Sequence, residues 1–241
     1  MVYVKMKEMI GVIGGNGVAA TNKLCELVEL EYTKNGAYRD AHHPEMIIWQ
    51  ATQAPSRSMY LEGRGESFIP DYIEVGKKLK ACGATKLCMC CNTAHYAIDE
   101  IEKHVGIEFI NLIELVAIEI KATGKKKIGI MASDGCVKHK IYDDYLQKVI
   151  QDISIIYPDE YYQRMVTKGI CNIKNLNRFE NDDSNERPNK LFSEVKEYLL
   201  NKGADIVIAG CTDIRVDYWD TNVIDSLEIL KKAIVEIANH E

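Results

Sequence analysis

The chain repeats itself. Gly11-Val-Ile-Gly-Gly15 and Gly129-Ile-Met-Ala-Ser133 each present a short apolar run that ends in small residues. Downstream, Gly83-Ala84 begins eight positions before Cys91, and Gly203-Ala204 begins the same eight before Cys211. The first block closes with Cys91-Asn92-Thr93 and the second with Cys211-Thr212, and the glycine-to-cysteine spans are 80 and 82 positions. Self-similarity at a fixed offset is the signature of a duplicated supersecondary unit. Each copy holds a strand, a Gly-Ala turn, a buried strand and a terminal cysteine. The expected fold class is therefore α/β, with two similar lobes of parallel sheet flanked by helices. A pseudo-twofold relation between them puts the two strand ends on either side of a cleft, where the active site is expected.

The rest of the pattern agrees. Strand-like runs occur at Met9–Ile13, Met46–Gln50, Lys86–Cys90, Glu108–Asn111, Lys127–Met131, Ile153–Tyr157, Asp205–Ala209 and Asn222–Ile224. Between them, apolar residues fall at helical spacing, as in Leu24, Leu27 and Val28, or Leu227, Leu230, Ile234 and Ile237. Alternation of this kind implies parallel sheets with crossover helices, and ligands then belong at the carboxyl ends of the strands. A length of 241 residues admits one large domain or two small ones. We expect a first lobe from residues 1–113 plus 222–241 and a second from 114–221, with the last helix, Ser226–His240, returning to the first. The polar stretch Asn175–Asn189 reads as an exposed loop within the second lobe.

Charge narrows the partners. Thirty Lys and Arg against 36 Asp and Glu give a net charge of −6, which argues against nucleic acid or an anionic membrane as partner. No apolar run approaches the ~18 residues of a membrane span. Met9–Ala20, after Lys5 and Lys7, has some look of a signal segment, but Glu8 and Asn16 interrupt it and its glycines suit a strand and tight turn. A cytoplasmic location is the expectation, and the eight cysteines are then reduced thiols.

Two opposed thiols can perform one specific reaction. A cysteine at the end of a parallel strand, followed by polar residues that open a helix, sits near free N–H groups that favour the thiolate over the usual pKa of about 8.5. One thiolate can take a proton from an sp³ carbon while the opposite thiol returns one to the other face. Asn92, Thr93 and Thr212 lie beside Cys91 and Cys211, with groups able to hold a carboxylate and the charge that develops on it.

These motifs together resemble the aspartate/glutamate racemase family. The resemblance is carried by Gly11-Val-Ile-Gly-Gly-Asn-Gly17, Thr52-Gln-Ala-Pro-Ser-Arg57, Cys91-Asn-Thr-Ala-His95, Met131-Ala-Ser-Asp-Gly-Cys-Val-Lys138 and Gly210-Cys-Thr-Asp-Ile214, in family order across nearly the whole chain. It implies a racemase of an acidic amino acid, aspartate or glutamate, that works as a homodimer without cofactor or metal. Cys91 and Cys211 become the catalytic pair, and Asn92, Thr93 and Thr212 contacts of the α-carboxylate or amino group. Arg57 matches the arginine that holds the side-chain carboxylate, a task suited to its planar fork. Lys174 is matched as a second cation, and Asn16 and Ser133 as further substrate contacts. The chain departs from the family pattern at Asn16 (commonly Met), Ala51 (often Asn), Ser56 (Asp), Cys136 (Thr) and Asp213 (Glu). These departures spare both thiols and fall where substrate is recognised, so the identity of the amino acid stays open.

Three other readings compete. Gly15-Asn-Gly17-Val-Ala-Ala20 fits a dinucleotide fingerprint, which would make an NAD-dependent oxidoreductase, but Met46-Ile-Ile-Trp-Gln50 ends without the acidic residue that holds the ribose. Cys82, Cys88, Cys90, Cys91 and His95 could form a metal site, except that their spacing is wrong and strand alternation turns Cys88 and Cys91 to opposite faces. A related isomerase or a non-catalytic amino-acid-binding protein could share the fold. His95 is either a partner of Cys91 or a helix-start histidine bonded to backbone.

Overall fold

The computed structural model describes residues 8–239; Lys5, Lys7 and His240, invoked above, lie outside them. The first half runs β1 (Ile10–Gly14), α1 (Val18–Lys34), β2 (Met46–Gln50), α2 (Arg57–Glu62), α3 (Ile69–Ala81), β3 (Lys86–Met89), α4 (Ile98–Val105), β4 (Phe109–Ile110) and α5 (Leu112–Thr123). The second runs β5 (Lys127–Ala132), α6 (Asp134–Lys138), α7 (Asp143–Val149), β6 (Ser154–Ile156), α8 (Glu160–Asn172), α9 (Pro188–Asn201), β7 (Ile206–Gly210), β8 (Val223–Asp225) and α10 (Ser226–Asn239). Two four-stranded parallel sheets result, ordered β2-β1-β3-β4 and β6-β5-β7-β8, so the second repeats the first strand for strand. All eight strands expected from the sequence are present, with ends shifted by a residue or two.

The repeat holds in register as well as in order. Gly11 pairs with Leu87 and Gly129 with Val207, and each cysteine lies four residues beyond that partner. Each Gly-Ala step ends a helix: Gly83 at φ +106° follows α3 and Gly203 at φ +95° follows α9. An L side chain rarely takes that left-handed conformation, which is why glycine stands at both. The alanine that follows packs on the strand glycine; a Cβ on Gly11 would lie 2.9 Å from that of Ala84, and one on Gly129 3.3 Å from that of Ala204. Small residues at both positions let α3 and α9 lie close on their sheets.

Alternation along the strands builds the layers. Ile10, Val12, Ile128, Ile130, Ile206 and Ile208 face a central layer of α1, α5, α7 and α10, forming one core shared by both halves. Ile13, Leu87 and Met89 face α3 and α4 on one outer side, while Met131, Val207 and Ala209 face α8 and α9 on the other. Burying apolar surface on both faces of each sheet is the main term that holds this arrangement together. The last strand corrects the expected grouping of 222–241: β8 hydrogen-bonds along β7 of the second sheet, because Val223 to Asp225 continue the parallel register from Val207 to Ala209. Only the helix after it reaches the first half. There the Tyr32 hydroxyl donates to Asn239 Oδ1 at 2.9 Å, and Lys231 Nζ lies 2.7 Å from Glu31 Oε2.

The polar stretch from 175 to 189 is largely exposed, but it is not structureless. Leu176–Phe179 form a 3-10 turn, and α9 starts at Pro188 within the stretch. Among the described residues, no helix is long and apolar enough to cross a membrane.

Candidate active site

The two cysteines emerge from corresponding strands. Alternation sends Cys88 and Cys90 into the central core and Cys91 into the outer core of the first half, so Cys88 and Cys91 face opposite ways. Cys211 directly follows β7 and is partly buried. The sequence reading placed a helix start after each thiol. The structure instead has short 3-10 helices, Thr93–Ala97 and Thr212–Val216, with α4 following only at Ile98. Thr212 Oγ1 donates to the carbonyl of Cys90 at 3.1 Å, which brings the two thiol-bearing segments together. Cys91 lies near enough to raise the pKa of the Cys211 thiol, and both raise that of the buried Cys136.

The expected lowering of the thiol pKa does not hold at Cys211. Burial pushes this thiol up to about 12, Asp213 adds to the effect and Lys174 opposes it. A 3-10 turn offers little helix dipole, and an anionic neighbour outweighs what it offers. Cys211 is thus a proton carrier at neutral pH. Cys136 is likewise pushed well up by burial, with Cys211 and Cys91 adding to it.

Side chains expected to meet substrate are bonded to one another. Thr93 Oγ1 and Ser133 Oγ lie 2.8 Å apart across the two halves. Ser133 also caps α6 by accepting from Cys136 N at 3.4 Å. Asn92 is 1% exposed. Its Oδ1 accepts from the Tyr142 hydroxyl at 2.5 Å, and its Nδ2 donates to Ser226 Oγ at 3.0 Å. Its side chain therefore spans the halves and is not displayed to the cleft.

A cationic end lies next to the thiols. Arg57 Nη2 donates to the Asn16 carbonyl at 2.6 Å and Nη1 to the Pro55 carbonyl at 3.3 Å. Burial works against the Arg57 charge, but Cys91, Tyr72 and Asp213 beside it outweigh burial and raise its pKa further. Asn16 is buried, with Nδ2 donating to the Tyr72 hydroxyl at 2.6 Å and Oδ1 unpartnered. Lys174 Nζ lies 2.9 Å from Oδ2 of the buried Asp213. Burial disfavours the Lys174 charge; Asp213 and Cys211 restore it and hold its pKa above the usual value. The Asp213 carboxylate fits because residue 17 is glycine, where a Cβ would come within 2.8 Å of the Asp213 Cγ.

Asn16, Arg57 and Lys174 line an open cavity of about 960 Å³, together with Leu176 and Phe179. Leu176 is 81% exposed and Phe179 68%. Behind Cys91, buried His95 bonds only to backbone. Leu112 N donates to its Nε2 at 3.1 Å, so Nδ1 carries the proton and donates to the Cys91 carbonyl at 2.8 Å. Burial lowers its pKa to about 4, against the pull of these backbone bonds. His95 therefore steadies the Cys91 backbone, and the reading with a backbone partner is the one observed.

The structure thus gathers Cys91, Cys211, Asn92, Thr93, Ser133 and Thr212 at the junction of the halves, with Asn16, Arg57 and Lys174 along one side. Sequence reasoning passed over Tyr142 and Ser226, which no local motif marks. It noted Asp213 only as a departure, although an acidic residue two positions after a thiol was itself a signal of altered charge.

A family model for Asp/Glu/hydantoin racemases matches residues 10–232. The broad specificity amino-acid racemase RacX of Bacillus subtilis strain 168 is 25% identical over 233 residues, 94% of this chain and 96% of that one. The aspartate racemase of Picrophilus torridus superposes with a TM-score of 0.79 at 25% identity, covering 97% of this chain and 95% of that one. An aspartate racemase homologue from Pyrococcus horikoshii OT3 gives 0.70 at 22% identity, covering 98% and 100%, and speaks for the fold alone.

Proposed function

The chain belongs to the Asp/Glu/hydantoin racemase family, and from that premise we propose that it is an amino-acid racemase in which Cys91 and Cys211 act as paired acid and base. The observation that carries this reading is the repeat in register: two thiols at matched ends of corresponding strands, in segments joined by the Thr212–Cys90 hydrogen bond. The Cys91 thiolate takes the α-proton, and the electron pair left on Cα spreads into the α-carboxylate. The Cys211 thiol then gives its proton to the opposite face and is left as thiolate. The proton has moved from carbon to Cys91, another from Cys211 to carbon, and the centre is inverted. The reverse direction exchanges the roles. The high pKa of Cys211 suits it to the donor role in the arrangement described. Because the two thiols supply both acid and base, no cofactor is called for.

Thr93, Ser133 and Thr212, with the backbone amides beside the thiols, are the groups proposed to hold the α-carboxylate and amino group, the substrate replacing the Thr93–Ser133 bond. Arg57 and Lys174 are proposed to meet a side-chain carboxylate, which makes aspartate or glutamate the first substrates to try. A second reading has its own observation. Asp213 already pairs with Lys174, and exposed Leu176 and Phe179 help line the cavity. Both favour acceptance of neutral and larger side chains as well, as the name of the Bacillus subtilis relative suggests for that protein. A homodimer working in the cytoplasm belongs to the same proposal, testable by light scattering and cell fractionation.

The test is deuterium incorporation at Cα from D₂O, followed by NMR over a panel of L- and D-amino acids with reduced protein. Exchange with inversion for aspartate or glutamate alone supports the acidic reading; inversion across neutral amino acids supports the broad one. No exchange for any amino acid by folded protein overturns both. Arg57→Ala should raise KM for acidic substrates far more than for neutral ones, and an equal effect would assign the arginine to structure.

A further inference from the structure

Four residues far apart in the chain form a directed line of hydrogen bonds beneath the two thiols. The Tyr142 hydroxyl donates to Asn92 Oδ1 at 2.5 Å, Asn92 Nδ2 donates to Ser226 Oγ at 3.0 Å, and Ser226 Oγ donates to the carbonyl of Ala209 at 2.8 Å. Asn92 follows Cys91 directly, and Ala209 stands two residues before Cys211. Tyr142 and Asn92 are each 1% exposed and Ser226 is fully buried. The line therefore runs from the second half into the first and back to the second without meeting solvent.

Each bond fixes a direction. The tyrosine hydroxyl has one proton, and giving it to Asn92 orients the amide so that its NH₂ faces Ser226. Ser226, receiving that proton, has its own left for the Ala209 carbonyl. Ala209 is the last strand residue but one of β7, so its carbonyl lies on the backbone that aims Cys211. The Tyr142 ring also packs on this segment, since a Cβ on Gly210 would come within 2.9 Å of its Cε2. One tyrosine thus touches the residue after Cys91 by hydrogen bond and the residue before Cys211 by packing.

We propose that Tyr142 and Ser226 are positioning residues that set the separation and aim of the two thiols through Asn92. This rests on the two-thiol reading above. Inversion needs both sulfurs in line with one Cα, whereas exchange at a single face needs only one, and errors of about 1 Å in such alignment can cost on the order of 100-fold in rate. Loss of the relay therefore acts on inversion more than on exchange. A group with a merely structural role would lower stability and leave the ratio of the two alone.

The experiment measures α-deuterium exchange and inversion side by side for wild type, Tyr142→Phe, Ser226→Ala and the double variant, well below each variant's melting temperature. In the single variants kcat for inversion should fall between about 10- and 100-fold, with KM within about twofold and the exchange-to-inversion ratio raised by a similar factor. The double variant should fall little further than the worse single one, because both interrupt one line. Wild-type ratios in folded Tyr142→Phe and Ser226→Ala, alongside an inverting wild type, overturn the positioning role and leave the racemase reading standing. A wild type that neither exchanges nor inverts overturns the racemase reading and this proposal with it.

Discussion

Thr212 hands its hydroxyl proton to the carbonyl of Cys90 at 3.1 Å, so the residue after one thiol is fastened to the residue before the other. The bond is buried and crosses between the halves. Thr212→Val keeps the shape and removes the donor, leaving the Cys90 carbonyl without this partner at a cost of about 1–3 kcal/mol. Urea unfolding should show that loss, and Thr212→Ser should recover most of it. Equal stability in all three proteins would mean the carbonyl finds another donor.

Single cysteine variants should separate the two half-reactions. Cys211→Ser leaves Cys91 able to take the α-proton of one enantiomer and return a solvent deuteron to the same face. Cys91→Ser should do the same for the other enantiomer only, and more slowly at neutral pH, because Cys211 holds its proton there. NMR in D₂O then reads exchange without inversion, with opposite enantiomer preference in the two variants. Near-normal inversion in either variant would remove the two-base mechanism.

Two opposite charges act on Cys211: Asp213 raises the thiol pKa, and Lys174, paired with Asp213 at 2.9 Å, lowers it. Asp213→Asn removes the anion and leaves Lys174 beside the sulfur. The Cys211 thiol should then titrate lower, so its alkylation by iodoacetamide at fixed pH, followed by peptide mapping, speeds up severalfold. With the Lys174 charge no longer neutralised by Asp213, KM for acidic amino acids should fall relative to that for neutral ones. Slower alkylation would show that Asp213 acts chiefly through packing.

His95 sets a pH dependence of stability. Its folded pKa is lowered to about 4 by burial, whereas the unfolded side chain titrates near 6.5. Between those values the unfolded chain binds a proton that the folded one refuses, so this contribution is complete above about pH 6.5 and is lost as pH falls toward 4. The size of the effect is about 3 kcal/mol. His95→Gln lacks it, so the deficit of the variant relative to wild type should shrink as pH drops through that window. Parallel stability curves would show that His95 titrates alike in both states. Taking the difference cancels other groups, including Asp225, whose carboxyl burial raises to about 6 against the pull of Arg215.

Much of this arrangement is legible in the amino-acid sequence. Gly11, Gly129, Gly83 and Gly203 mark close packing and left-handed turns, constraints that only the smallest residues meet, and so the duplicated sheet order could be read from spacing. Cys91 and Cys211 followed because they end the same element twice. Tyr142 and Ser226 could not be found in that way, since their partners lie 50 and 134 positions distant in Asn92. The same holds for the state of Cys211. A strand end followed by polar residues suggested a lowered pKa, and the result turned on enclosure and on a carboxylate whose approach depends on Gly17. Such effects are sums over neighbours from several elements, and a linear pattern does not contain them.

The central helical layer has a consequence for how the molecule is divided. Since α1, α5 and α10 serve both sheets at once, either half made alone would carry a sheet with one face stripped of half its cover. Two copies that resemble independent units should therefore melt as one, since neither can separate without breaking the layer they share.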